Sequence, residues 1–262
     1  MNYYRLLLKT AVGVMHSLLY LAMKTFLLMP LLALVMSANS QVVIKPGDLS
    51  IHYDWLVPSH DFYKVVVFDS AGKKIMEIMN EQVQVIDTVK GILISARVRQ
   101  APFGKLLTDT SICVSNTLTP LRMHEFDQPK SFEHDFRWAG AKAFVIDLRK
   151  GVVRKDTFTM AEGYFDENSI EGFFAVMSFE KGKTYRINTF RIGHPGAINP
   201  YDIEYVFDDS WGVDRDNELN CKVLRFKNAY SDGYIWIDVR RHKMVKQYIH
   251  MDSGDKVILA EK

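Results

Sequence analysis

Four short neighbourhoods place an imidazole beside carboxylates: His52 with Asp54, His60-Asp61, His124-Glu125 with Asp127, and Glu133-His134-Asp135. Such groups can bind zinc or run general acid–base chemistry when several of them converge in space. Adjacent residues on an extended strand point to opposite faces, so His124 and Glu125, or His134 and Asp135, would not act together there. That geometry favours polar surface positions over a catalytic dyad. His124-Glu125-Phe126-Asp127-Gln128 opens like H-E-x-x-H but carries Gln128 where the second zinc ligand belongs. No G-x-S-x-G elbow, P-loop, G-x-G-x-x-G or C-x-x-C occurs. Asp214-x-Asp216-x-Glu218 resembles part of a calcium loop, yet Leu219 stands where the turn glycine is needed, which favours a solvated inter-strand loop. Arg240-Arg241-His242-Lys243 is a basic cluster with the placement of a hairpin tip.

The elements that must position these residues begin after an export signal. Thr25 to Met36 is an apolar run that follows Lys24 and closes on Ser37-Ala38-Asn39-Ser40, the layout of a cleaved secretory leader over residues 1–40. A start at Met23 would make residues 1–22 an upstream extension, and Lys9, Lys24 and Pro30 break the combined run as a membrane span. No Cys follows the cleavage site to carry acyl chains, so no lipid anchor is expected; the export signal points to the periplasm, with no stable span after cleavage. Arg5, Lys9 and Lys24 belong to the leader; of 33 basic and 31 acidic residues, 30 and 31 remain, which removes any electrostatic case for nucleic acid. Cys113 and Cys221 are the only cysteines, and they suit either two thiols packed as small apolar groups or a disulfide permitted by the compartment.

From Gln41 to Lys262 the chain reads as a single antiparallel β domain, with turn residues about every ten positions. Tyr201, Ile203, Tyr205 and Phe207 share one face while Asp202 and Glu204 take the other, and Ile92–Arg99 and Ala143–Leu148 repeat the scheme. Further strands are expected at 63–68, 75–86, 110–114, 184–192, 221–226, 234–239, 245–251 and 257–260. Ser70-Ala71-Gly72, Lys90-Gly91, Lys181-Gly182, Ser231-Asp232-Gly233 and Asp252-Ser253-Gly254-Asp255 punctuate them as turns. One helix is expected within Asp166–Met177: Asp166 or Asn168 can cap it, Glu167 and Glu171 suit its dipole, and Ile170, Phe173, Phe174 and Met177 form one apolar stripe against the sheet.

Tyr164-Phe165-Asp166, Lys181-Gly182-Lys183-Thr184-Tyr185, Cys221-Lys222-Val223, Tyr234-Ile235-Trp236-Ile237-Asp238 and Lys243-Met244-Val245-Lys246 resemble an exported bacterial family of unknown function. That family is similar in expected fold to the lipoprotein carriers LolA and LolB. The resemblance implies a strongly curved antiparallel sheet, an open half-barrel around an apolar cavity, and it supplies no catalytic residue. This chain shows one helix where those carriers have a lid of several, and it lacks the lipobox Cys of the anchored member.

The expectation is therefore a mainly β, non-enzymatic exported protein that binds a lipid or other apolar ligand in a curved sheet, or acts as an envelope scaffold with a protein partner. Phe173, Phe174 and Met177 would line the pocket, with Trp236 on the sheet, and no cofactor or metal is called for. The alternative from a different class is an exported hydrolase whose site draws on His52, His60, His124 and His134. It requires at least three of these side chains in one cleft.

Overall fold

The computed structural model describes residues 41–100, 104, 106–159, 163–190, 198–212 and 218–261. The expected leader and the acidic pair Asp214 and Asp216 lie outside the described residues. After a short strand, β1 (Val42–Ile44), an antiparallel meander runs through β2 (Ser59–Phe68), β3 (Lys74–Asp87), β4 (Ile92–Gln100) and β5 (Leu106–Val114). It continues through β6 (Pro120–Asp127), β7 (Phe132–Ala139), β8 (Lys142–Arg149) and β9 (Val152–Thr159). The chain then passes through β10 (Phe165–Asp166) and the helix α1 (Glu167–Phe173). A second meander comprises β11 (Thr184–Phe190), β12 (Ile198–Trp211), β13 (Leu219–Lys227), β14 (Ser231–Asp238), β15 (Lys243–Met251) and β16 (Lys256–Glu261).

Antiparallel pairing of β16 with β2 fuses the two meanders into one sheet, and β1 and β10 each add to β11 in parallel. The strand order runs from β1 to β9 without those two ends pairing, so the sheet is not closed into a barrel. Period-two alternation gives it an inner face carrying Tyr63, Leu93, Cys113, Met123, Phe136, Ile187, Ile203, Leu224 and Ile235, each no more than 4 % exposed. Strands β1, β6, β7, β9 and β10 extend the set expected from sequence. β12 also runs on to Trp211, across a bulge at Tyr205–Phe207, so Asp208 and Asp209 sit on a strand.

The expected helix forms, caps as anticipated and ends earlier. Asp166 Oδ1 accepts from the backbone N–H of Asn168 at 2.8 Å, and the chain tightens into a 3-10 turn over Phe174–Val176. Ile170, Phe173, Phe174 and Met177 are 0, 2, 0 and 5 % exposed and pack on the inner face with Tyr185, Tyr201, Phe226 and Met244. Burial of each such side chain contributes roughly 1.5–3 kcal/mol, which holds a helix too short to persist alone. A smaller apolar cluster of Met123, Phe136, Ala143, Val145, Tyr164 and Phe190 lies farther along the same face. Among the described residues no helix is long and apolar enough to cross a membrane.

Candidate ligand cleft

Strand register draws one residue from each of eight strands into a single row on the inner face. Asp61, Gln82, Arg97, Asp109, Glu125, His134, Asp147 and Arg154 stand directly opposite one another, in that order, from β2 to β9. Cross-strand neighbours on one face interact through side chains at close range, so these eight residues form one continuous polar row across the inner face. Its members are held firmly. Lys243 Nζ reaches Asp61 Oδ1 and Glu261 Oε1, each at 2.5 Å, Arg97 donates to the Asn168 carbonyl at 2.6 Å, and Arg99 pairs with Asp109 at 2.5 Å.

The row's electrostatics follow from burial and like charge. Desolvation, reinforced by Asp109 directly opposite and countered by Arg99, pushes the Glu125 carboxyl up to about 7. Burial pushes His134 below its ordinary value against the pull of Asp147, which favours a neutral ring. His134 Nε2 lies 3.2 Å from Asp147 Oδ1 and 3.3 Å from the Arg149 guanidinium, while its buried Nδ1 has no hydrogen-bond partner among the described residues and faces Glu125 Oε2 at 4.0 Å. Beside α1, Asp166 is pushed up to about 7 by its burial, with Ser111 and the Asn168 N–H acting in the opposite direction.

At the β9 end the row opens into a cleft of about 550 Å³. Phe136, Val145 and Val152 form its apolar floor, Arg149, Lys150 and Arg154 bring three cations to it, and Asp147, Asp156 and His134 complete the lining. Its size falls within the range of small-molecule sites, and the combination suits a ligand with an apolar body and an anionic end. β7 and β8 position the floor because their inward residues change from apolar at Phe136 and Val145 to polar at His134 and Asp147, one pair farther along the ladder.

The residues expected to line a pocket are placed differently from one another. Phe173, Phe174 and Met177 are packed in the main core, where the Phe174 ring meets Phe179 and Tyr201. Phe173 also borders a small cavity of about 80 Å³ between α1 and the inner face, with Tyr63, Ser95 and Met244. Trp236 sits on the outer face, where Nε1 donates to Asp209 at 2.8 Å and Lys246 Nζ lies 4.4 Å from the ring centroid and 4.2 Å from that of Trp211.

The four imidazoles keep four separate partners. His52 Nε2 meets Ser178 Oγ at 2.6 Å while its ring stacks on Trp55, whose other side stacks on His242. His60 meets Glu81 at 2.6 Å, His124 meets Glu133 at 2.8 Å, and His134 meets Asp147. Among the described residues no group of three His, Cys, Asp or Glu side chains could hold a metal ion. The basic tip is an ion-paired one: Arg241 binds Asp238 and Glu261. Cys113 and Cys221 are both free and buried. Sequence reasoning missed the Glu125–His134 pair, although one signal could have found it. Both residues are equally distant from the turn between Asp127 and Phe132, and such residues pair in a hairpin.

A crystal structure of a β-barrel-like protein of the DUF1849 domain of unknown function from Brucella abortus is similar in fold, with a TM-score of 0.50 at 9% identity, over 79% of this chain and 96% of that one. Comparison with curated proteins gives no match. The family described as a protein of unknown function, DUF3108, matches residues 52–260, and the chain belongs to that family.

Proposed function

We propose that the protein is a non-enzymatic, exported binding protein that seats an amphiphile, an acyl-bearing molecule with an anionic head, in the cleft beneath β7, β8 and β9. One observation carries this reading: an apolar floor of Phe136, Val145 and Val152 meets the cations Arg149, Lys150 and Arg154 within a single cleft of about 550 Å³. The floor would remove the acyl part from water and the cations would orient the head. The export signal read in residues 1–40 supports an envelope setting, and the carrier-like half-barrel expected from the resemblance supports the same class of ligand. The proposed cleft lies under the β9 end of the sheet rather than beneath α1, where Phe173, Phe174 and Met177 fill the space with their own side chains.

The test is a titration with a fluorescent fatty-acid probe, alongside native mass spectrometry of protein purified from its own envelope. Saturable binding is expected, and Lys150→Glu at the exposed β8–β9 turn should weaken it about tenfold by reversing one of the three cations. Trp236→Phe, on the other face, should leave affinity unchanged. Absence of saturable binding, together with an empty chain in the mass spectrum, would overturn the reading and favour a scaffold.

A further inference from the structure

We infer that β9 is a self-recognition edge, pairing antiparallel with β9 of a second copy of this chain so that Arg154 of each copy meets Asp156 of the other. β9 is the last strand of the sheet, and among the described residues it pairs only with β8. Its outward edge is open: Val152 and Val153 are 59 and 56 % exposed, and every residue of the strand except Phe158 is exposed. An unpaired edge of eight residues presents a row of backbone donors and acceptors that another strand can satisfy.

Symmetry restricts the pairing to few registers. Two antiparallel copies of one strand are related by a two-fold axis perpendicular to the sheet, so facing residues must point to the same side. With the axis at Lys155, Arg154 faces Asp156 twice and Val152 faces Phe158 twice, all on the inner face. With the axis one residue either way, Asp156 faces Asp156 or Arg154 faces Arg154, which like-charge repulsion disfavours. In the favoured register Lys155 meets Lys155 on the outer, solvated side, a repulsion that water screens and that the two Arg154–Asp156 pairs offset. The groups facing this seam from β8 are Asp147, opposite Arg154, and Val145, opposite Asp156. Because Arg154, Asp156 and Val152 also line the cleft, pairing would set two clefts side by side across the seam. The inference rests on the edge and its charges, not on the ligand reading.

Sedimentation of the intact chain at about 100 µM, without ligand, tests it. The wild type should contain dimer. Arg154→Asp and Asp156→Arg should each be monomeric, because each places like charges in register, and an equimolar mixture of the two variants should restore a dimer, because opposite charges then face at both positions. Lys155→Thr should tighten the dimer about tenfold by removing the central repulsion. A monomeric wild type, single variants that dimerise like it, a mixture that stays monomeric, or no tightening with Lys155→Thr would each overturn the proposal. All three positions are exposed, and circular dichroism verifies that the variants remain folded.

Discussion

Glu125 on β6 stands directly across the ladder from His134 on β7, with its Oε2 4.0 Å from the ring Nδ1, which has no hydrogen-bond partner among the described residues. Burial pushes the carboxyl up to about 7 and holds the imidazole below its ordinary value, so near neutrality both groups are biased towards their uncharged forms. The native carboxyl thus keeps a proton that the unfolded chain releases near 4.5, and between those values the native state binds more protons. Stability contributed by Glu125 therefore falls as pH rises from about 4.5 to about 7. His134 acts in the opposite sense, losing stability as pH drops below 6.5, because the unfolded ring is then the better proton acceptor.

Glu125→Gln should flatten the acid-to-neutral part of this dependence. The amide keeps the shape of the protonated acid and cannot ionise, so its melting temperature should exceed the wild type by several degrees at pH 8 and approach it at pH 4.5. Thermal melts at the two values check this, and an equal offset at both would show that the Glu125 carboxyl does not titrate where its surroundings place it.

Asp166 separates two roles of one carboxyl. Oδ1 caps α1, while Oδ2 is buried with no hydrogen-bond partner among the described residues, a cost that protonation relieves by replacing a bare charge with a neutral group. Desolvation pushes the group up to about 7, so stability falls as pH rises towards that value. Asp166→Asn preserves a capping oxygen and removes the ionisable charge, and it should raise stability at pH 8 by an amount on the order of 1 kcal/mol or more. Asp166→Ala removes the cap and should lose about 1 kcal/mol at pH 5, where ionisation matters little. Denaturant melts of both variants at the two pH values distinguish the roles.

What was legible in the sequence was local. Tyr201-Asp202-Ile203-Glu204-Tyr205 alternates with a plain period of two because one face is buried and the other wet, and β12 forms there. The stripe Ile170, Phe173, Phe174 and Met177 announced a docked helix with Asp166 at its start. β7 gave no such signal, since Glu133-His134-Asp135-Phe136 buries His134 and Asp135 on opposite faces beside Phe136. β9 gave none either, because an exposed edge strand needs no apolar face. The charged row was hidden for a different reason: Asp61 and Arg154 are joined through seven successive strand pairings, and register of that kind is a property of the assembled sheet.

Both thiols should be silent in the native protein. Burial pushes Cys113 up to about 12 and Cys221 up to about 11, with Asp166 adding to the first and Asp238 and Asp209 to the second. The nucleophile is the thiolate, and two buried thiols held protonated at pH 8 offer almost none. Ellman's reagent should therefore detect no thiol in native protein and both after denaturation without reductant. Rapid native labelling, or no thiol after denaturation, would contradict two buried, free cysteines.

Two glycines should respond to the same methyl group with opposite signs. Gly233 lies on β14 opposite Phe226, and a Cβ there would come within 1.9 Å of the Tyr248 carbonyl oxygen and 3.0 Å of the Phe226 ring. The first obstacle is backbone in the adjacent strand, which cannot rotate away, so β14 and β15 would have to separate locally. Gly233→Ala should cost about 1–3 kcal/mol, the range of an overpacked core. Gly172, in contrast, sits exposed in α1, where an added methyl would meet no described residue within 4 Å beyond its chain neighbours and its own helix backbone, and the helical backbone is one that alanine adopts readily. Gly172→Ala should stabilise the fold by about 0.5–1 kcal/mol, by reducing the freedom of the unfolded chain and favouring the helix. Urea unfolding of both variants reads the two signs. A neutral Gly233→Ala would mean that β14 and β15 approach less closely than their register requires, and a destabilising Gly172→Ala would mean that α1 packs something against that position.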